Sequence, residues 1–328
     1  MSWQALRDLN DTLLQLAAPL IDAHRWRGLR VVAADGSRLR VSTGQGADLA
    51  ADHYAFALFL PGAEVTLHAQ LGSHDACERQ MLFESLDATA EDDVLVLDRG
   101  LIGNTIAAAI TQRKRHFCMR VDATGYACVR KFLRSGKAEM IVELDPPRPT
   151  DRLDYALDNK PTCVRLIRDV TPSATVRVLM TSLLDPQRFP AETFGALYHS
   201  RWRVEEAFKR IKHRLHLEAV SGLTYLALQQ DFAAKLLADN LHTLLASAHQ
   251  SATDAPEPAD SRPNRTAAFG AFAPILVGCL LRIGKCLAKL EATLDLIIKT
   301  RCRIQRGRSY PRPPRIKPHA YSGYKGRC

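Results

Sequence analysis

Residues 92–98, DDVLVLD, set four aliphatic side chains in a row between two helix-like stretches. A run this short and apolar reads as a strand buried inside a sheet, and strands alternating with helices build an α/β layer structure. SHDACERQMLFESLDA before it reads as one helix, and LIGNTIAAAITQRKR after it as a second, leading to the strand HFCMRV. Upstream, LRVVAADGSRLRVSTG reads as two strands joined at Asp35 and Gly36, because Asp-Gly between alternating apolar residues is a hairpin signal. HYAFALFL and EVTLHAQLG read as two more strands. The chain therefore opens as an antiparallel sheet and passes into alternation, and its fold class is α/β.

The rest of the chain divides around this frame. MSWQALRDLNDTLLQLAAPL spaces Trp3, Leu6, Leu9, Leu13 and Leu16 by three and four, the pattern of an amphipathic helix and not of a signal peptide. Residues 1–28 are expected to form this N-terminal helical segment, and residues 29–121 the first part of a core. Between 122 and 182 the strand-like pieces MIVELD, CVRLIRDV and TVRVLMTSLL are divided by the Pro-rich DPPRPTDRLDYALDNKP, which reads as a β-rich insertion. Helices resume over 183–250 as the second part of the core. SATDAPEPADSRPNR marks a linker over 251–266, further helices follow over 267–300, and a basic tail covers 301–328.

Charge narrows the partners. The formal net charge is +10, and from Lys299 onward ten basic residues stand without one acid among them. Such a tail suits a phosphate-bearing polymer; the plainer alternative is a solvated tail with no specific partner. The eight cysteines form no C-x-x-C pair and read as reduced residues of an intracellular protein; Cys279 and Cys286, seven apart on a helical pattern, read as packing residues. The most apolar stretch, FAPILVGCLLRIG, is interrupted by Arg282 and is too short to span a bilayer, so a cytoplasmic location without membrane contact is expected. H-E-x-x-H, G-x-S-x-G and phosphate-loop patterns are lacking, and GQG at 44–46 does not complete a dinucleotide fingerprint.

Chemistry gathers at the ends of elements. Asp35 ends the first apolar strand and Asp98 ends VLVLD. Each alone reads as a turn residue with Asx geometry. If their strands are neighbours, the two carboxylates meet at one edge of the sheet, and a third acid would complete an oxygen-rich site suited to Mg²⁺. The helix ALYHSRWRVEEAFKRIKHRL, 196–215, supplies one. With Tyr198 at zero, Arg201 lies near roughly −60°, Glu205 near roughly −20° and Lys212 near roughly −40°. Leu197, Val204, Phe208, Ile211 and Leu215 occupy the adjoining arc, so the polar stripe borders the core. A carboxylate there is costly unless a cation balances it, which favours Glu205 over Glu206 as the third acid. Arg203, Glu206, Arg210 and Arg214 fall on the far side and read as solvated.

The spacing Tyr198, Arg201, Glu205, Lys212 resembles the Y-x2-R-x3-E-x6-K signature of the insertion-sequence-four family of DDE transposases, and ADGS and VLDRG look like that family's two aspartate motifs. The resemblance runs from about Leu29 to Gly222, with LMTSLLD and RWRVEEAFK also in the family's style. It implies an RNase H-like core with a β-rich insertion between the second aspartate and the glutamate. It implies that Asp35, Asp98 and Glu205 bind two Mg²⁺ ions, with Mn²⁺ as a substitute, about 3.5–4 Å apart for an in-line phosphoryl displacement. No organic cofactor is expected. Tyr198, Arg201 and Lys212 match family residues that contact transposon-end phosphates, and Arg99 and Trp202 are further candidates for DNA contact. The partners implied are double-stranded DNA, at inverted-repeat ends and at the target, and a second copy of the chain when assembled on DNA.

Members of this family usually carry a substantial DNA-binding or dimerising region before the first aspartate, whereas 34 residues precede Asp35 here. The expectation is either a short form that relies on its C-terminal helices and tail or the catalytic part of a longer gene. The alternatives to a transposase are a metal-dependent nuclease on the same fold and an inactive remnant that only binds DNA.

Overall fold

The computed structural model describes residues 2–41, 52–171, 174–222, 224–252, 261–264 and 286–303, with scattered positions between 267 and 281. The chain forms two units, one from residues 21–212 and one from the two ends of the chain. The N-terminal amphipathic helix is present as α1 (Trp3–Leu16), capped by Ser2, whose Oγ accepts from the Ala5 N–H at 3.2 Å, and followed by a short α2 (Ala18–Asp22). Its inward face is turned from the expected stripe: Leu14 and Ala17 are buried, while Leu9 and Leu16 are exposed.

Residues 21–212 are organised by one sheet. β1 (Arg30–Arg40), β2 (Asp52–Leu60) and β3 (Val65–Gly72) form an antiparallel meander. After α3 (Glu78–Ser85), β4 (Asp93–Leu97) returns parallel to β1, and after α4 (Asn104–Gln112), β5 (His116–Val121) lies parallel to β4. The order β3-β2-β1-β4-β5, in which only β2 runs against the other four, is the RNase H-like arrangement that the resemblance implied. Val94, Leu95, Val96 and Leu97 are fully buried, as their unbroken apolar run requires.

The Asp35–Gly36 hairpin is not there. β1 runs without a turn from Arg30 to Arg40 and pairs with β2 through Asp35↔Ala57 and Gly36↔Phe56. Gly36 serves close approach and not a turn: a Cβ there would lie 2.4 Å from Tyr54 Cε1 and 2.8 Å from Glu78 Oε1.

Beyond β5 the sheet continues with β6 (Glu139–Leu144), β7 (Thr162–Val170) and β8 (Val176–Thr181), all antiparallel, in the order β5-β8-β7-β6. The strands between 122 and 182 thus widen the sheet that carries β1 and β4. Two helices here had no expectation, α5 (Ala127–Ser135) and α6 (Pro149–Asp154). α5 buries only Val129 and Phe132 and ends at Gly136 in the left-handed region (φ 68°), where Arg168 Nη2 donates to the Leu133 carbonyl at 3.1 Å. A cap supplied from β7 cannot be read in the helix's own sequence.

The helix expected over 196–215 is two helices. α7 (Phe194–His199) and α8 (Trp202–Arg214) are separated at Ser200 and Arg201, where the Arg201, Arg203 and Val204 N–H groups bond three residues back. The Ser200 Oγ donates to the Leu197 carbonyl at 2.6 Å, competing with the helical ladder. α7 sets fully buried Phe194, with Leu197 and Tyr198, against Val96, Cys118 and Leu179 of the sheet, and Trp26 packs edge-on to Phe194. Burying one side chain of that size stabilises by about 1.5–3 kcal/mol.

In the other unit, α1 packs along α9 (Tyr225–Ala252), and Asn240 Nδ2 donates to Asn10 Oδ1 at 2.7 Å. A helix over Cys286–Lys299 packs Leu294 and Ile297 against Leu245 and Ala246 of α9, with His249 and Asp295 2.7 Å apart. β9 (Ser261–Pro263), inside the stretch expected as a linker, pairs with β10 (Arg301–Arg303). The remainder of that linker at 253–260, Cys279, and the tail from 304 to 328 lie outside the described residues. The cysteines described are free thiols, and among the described residues no helix is long and apolar enough to cross a membrane.

Candidate active site

Ala34 and Leu97 are the last registered pair between the parallel strands β1 and β4, and Asp35 and Asp98 are the next residue on each. The two carboxylates that the sequence set at strand ends therefore belong to adjacent strands at one edge of the sheet, although β1 itself continues. Asp98 also keeps its local turn role, accepting the Arg99 N–H at 2.6 Å as the cap of a short 3₁₀ turn.

The break between α7 and α8 delivers the third acid. Arg201 is only 4% exposed; its Nη2 donates to Glu205 Oε1 at 2.8 Å and its Nη1 lies 3.5 Å from Asp35 Oδ2. One buried guanidinium thus ties α8 to β1, and the carboxylates repay its desolvation. Its Nε and Nη1 have no hydrogen-bond partner among the described residues. Tyr198 on α7 points its hydroxyl at Asp98 Oδ1, at 3.4 Å, with the Arg177 guanidinium over its ring. Glu205 is half-buried and Glu206 exposed, in line with the wheel. On the far side Arg203 is exposed, but Arg210 is largely covered and lies 3.9 Å from Glu64 Oε2. Arg214's side chain is outside the described residues.

Two other candidates stand further out. Lys212 Nζ donates to the Arg38 carbonyl, three residues along β1 from Asp35. Arg99 is exposed and turns to Asp122, 3.4 Å away, so it is not drawn to the aspartates. Trp202 is 45% exposed.

The sequence reading missed Glu78, the first residue of α3. Its carboxylate lies beside Gly36 and the Tyr54 hydroxyl, near both aspartates, while the Gly36 N–H donates to Asp35 Oδ1 at 2.9 Å. Inside SHDACERQMLFESLDA it reads as one more polar residue of a helix; a glutamate opening the helix between the third strand and VLVLD was the available signal.

The electrostatics follow from this crowding. The Asp35 carboxyl is pushed up to about 7, first by burial and then by Glu78 and Glu205, against the lowering effect of Arg201. Burial, and then Asp98, pushes the Tyr198 phenol up to about 12. Several carboxylates share one guanidinium, so negative charge is under-compensated and the all-oxygen donor set suits a hard divalent cation. Arg201 stands between Asp35 and Glu205, and among the described residues no three acidic, His or Cys side chains converge on one ion position.

A family model described as the transposase DDE domain matches residues 26–241. The chain is 26% identical over 206 residues to the transposase InsG for insertion sequence element IS4 of Escherichia coli (strain K12), covering 58% of this chain and 46% of that protein. It thus spans about half the length of that curated relative. The cryo-EM structure of the piggyBac transposase synaptic complex with hairpin DNA aligns with a TM-score of 0.48 at 8% identity, over 82% of this chain and 57% of that one. DDE transposases as a family use divalent metals. Since the family model spans well over half of the 328 residues and its range includes Asp35, Asp98 and Glu205, the chain belongs to the transposase DDE domain family.

Proposed function

We propose that the chain carries the catalytic site of a DNA transposase, cutting DNA at the ends of a mobile element and joining those ends to a target. The observation that carries this reading is the registered adjacency of Asp35 and Asp98, with Glu205 tied to Asp35 through Arg201. Two Mg²⁺ ions held by Asp35, Asp98 and Glu205, with Mn²⁺ as a substitute, would supply the Lewis acidity that phosphoryl transfer needs. The rest is done by the chain's own side chains. Arg201 holds Glu205 in place through Nη2 and offers its Nε–H, which has no partner among the described residues, to a phosphate oxygen. Tyr198 orients the Asp98 carboxylate through its hydroxyl, and Lys212 adds positive charge for the phosphate backbone. Double-stranded DNA is the substrate, and two copies of the chain act together because two element ends must be joined.

The test is metal-dependent cleavage and joining of an end-bearing duplex by the full chain. Glu205→Gln is expected to abolish cleavage and leave DNA binding within about twofold, since the groups that face phosphate remain. Full cleavage by the purified variant would remove Glu205 from the mechanism. Cleavage without joining of the 3′-hydroxyl end would make the chain a nuclease.

A further inference from the structure

The turn from α4 into β5 and the loop that enters β7 line a cavity of about 650 Å³. It lies at the sheet edge away from the carboxylates: His116 pairs with Val94, four residues before Asp98 along β4, which at about 3.3 Å per residue is roughly 13 Å. The lining carries Lys114, Arg115 and Lys160 against one acid, Asp158. Arg115 is engaged with neutral oxygens, its Nε donating to Thr89 Oγ1 and its Nη2 to the Thr89 carbonyl, both at 2.6 Å. Its charge therefore meets no carboxylate among the described residues. Lys114 stands in the left-handed region (φ 58°), which glycine adopts at lower cost, and its ammonium is exposed 3.5 Å from Glu91. Lys160 is exposed 3.1 Å from Asp158. Ion pairs so open to water hold weakly, which leaves both ammonium groups free to turn to another anion. Neither lysine side chain closes α4, since the carbonyls of Ile110 and Thr111 accept from the Arg115 and Lys114 backbone N–H groups. Deeper in, burial and then Arg188 hold the His116 imidazole below its ordinary range, so its neutral ring keeps one N–H. Ser182 Oγ accepts from the Phe117 N–H at 3.1 Å and retains its own O–H to donate.

From this lining we infer that the cavity is a second DNA contact, in which Lys114, Lys160 and the charge of Arg115 receive the sugar-phosphate backbone of a duplex. Among the described lining residues no Phe, Tyr or Trp offers a face to a base, so the groups present suit phosphate and not base identity. The choice of DNA over a free anion rests on the proposed function. A duplex held here meets the chain about one strand length from the catalytic carboxylates, so the two contacts are separate.

Cys163 is exposed on the lining and reports whether the cavity is covered. The full chain is treated with N-ethylmaleimide, with and without a short duplex, and the alkylation of each thiol is followed by peptide mass spectrometry. At a duplex concentration about ten times the Kd read by fluorescence anisotropy, Cys163 is expected to react about tenfold more slowly. Lys114→Gln combined with Lys160→Gln should keep the thermal midpoint, remove most of this protection, and lower the salt slope of binding by about 0.9 for each lysine that meets a phosphate. Lys131→Gln combined with Lys137→Gln makes the same charge change at exposed positions outside the lining and should leave Cys163 protected. Equal loss of protection in the two double variants would assign the effect to overall charge and overturn the inference. Protection by inorganic phosphate but not by duplex would make the cavity a small-anion site and also overturn it. Unprotected Cys163 on a chain that anisotropy shows to be DNA-bound would overturn the inference and leave the proposed function standing. A wild-type chain that binds no duplex would overturn the proposed function itself.

Discussion

Arg201 donates to Glu205 at 2.8 Å across the start of α8 while its other terminal nitrogen sits 3.5 Å from Asp35. Arg201 therefore links α8 to β1, and its removal leaves the Asp35 and Glu205 carboxylates without their shared cation. Arg201→Ala is expected to lower stability by about 1–3 kcal/mol. Arg201→Lys should recover little of this, because an ammonium cannot reach both acids in a planar fork. Chemical denaturation of the three proteins measures it, and equal stability of the Lys variant and the wild type would contradict the bridging role.

Gly36→Ala places a methyl group within 2.4–2.8 Å of Tyr54 and Glu78. The expected cost is about 1–3 kcal/mol of overpacking. Adding Tyr54→Ala should return part of the stability, and a double-mutant cycle with no coupling between 36 and 54 would refute the contact.

The pH response follows from Asp35. Its carboxyl titrates at about 7 in the folded chain and near about 3.9 when unfolded, so between these values the folded state holds a proton that the unfolded state has lost. In chelator, stability should therefore fall as pH rises from about 4 to about 7, lowering the thermal midpoint by roughly 3–8 °C. Asp35→Asn should flatten this slope. Mg²⁺ should recover more of the midpoint at pH 8 than at pH 5, because it competes with the proton.

Residues 304–328 carry seven basic side chains and no acid. Ending the chain after Arg303 keeps the β9–β10 pairing and should reduce the salt slope of nonspecific DNA binding by about 0.9 for each phosphate that the tail neutralises. Fluorescence anisotropy over a salt series reads this; an unchanged slope would make the tail a bystander.

What the sequence disclosed was what local pattern controls. The apolar run Val94–Leu97 announced a buried strand, and the rim position of Glu205 separated it from Glu206 before any neighbour was known. What it concealed depended on residues far apart in the chain. Asp35–Gly36 has the chemistry of a turn, and only Tyr54 and Glu78 pressing on Gly36 explain why a glycine stands in a continuous strand. The wheel through 196–215 assumed one axis, whereas hydrogen bonds at Ser200 and Arg201 tighten the chain there. α5 was hidden because its C-terminal carbonyl is capped by Arg168 from another strand.

The bare α-carbon at position 36 also limits which related sequences can share this packing. Tyr54 and Glu78 occupy the volume that any side chain at 36 would need, so a change at any one of the three positions is felt by the other two. Related chains with a larger residue at the place of Gly36 should carry a smaller one at the place of Tyr54 and lack the acid at the place of Glu78.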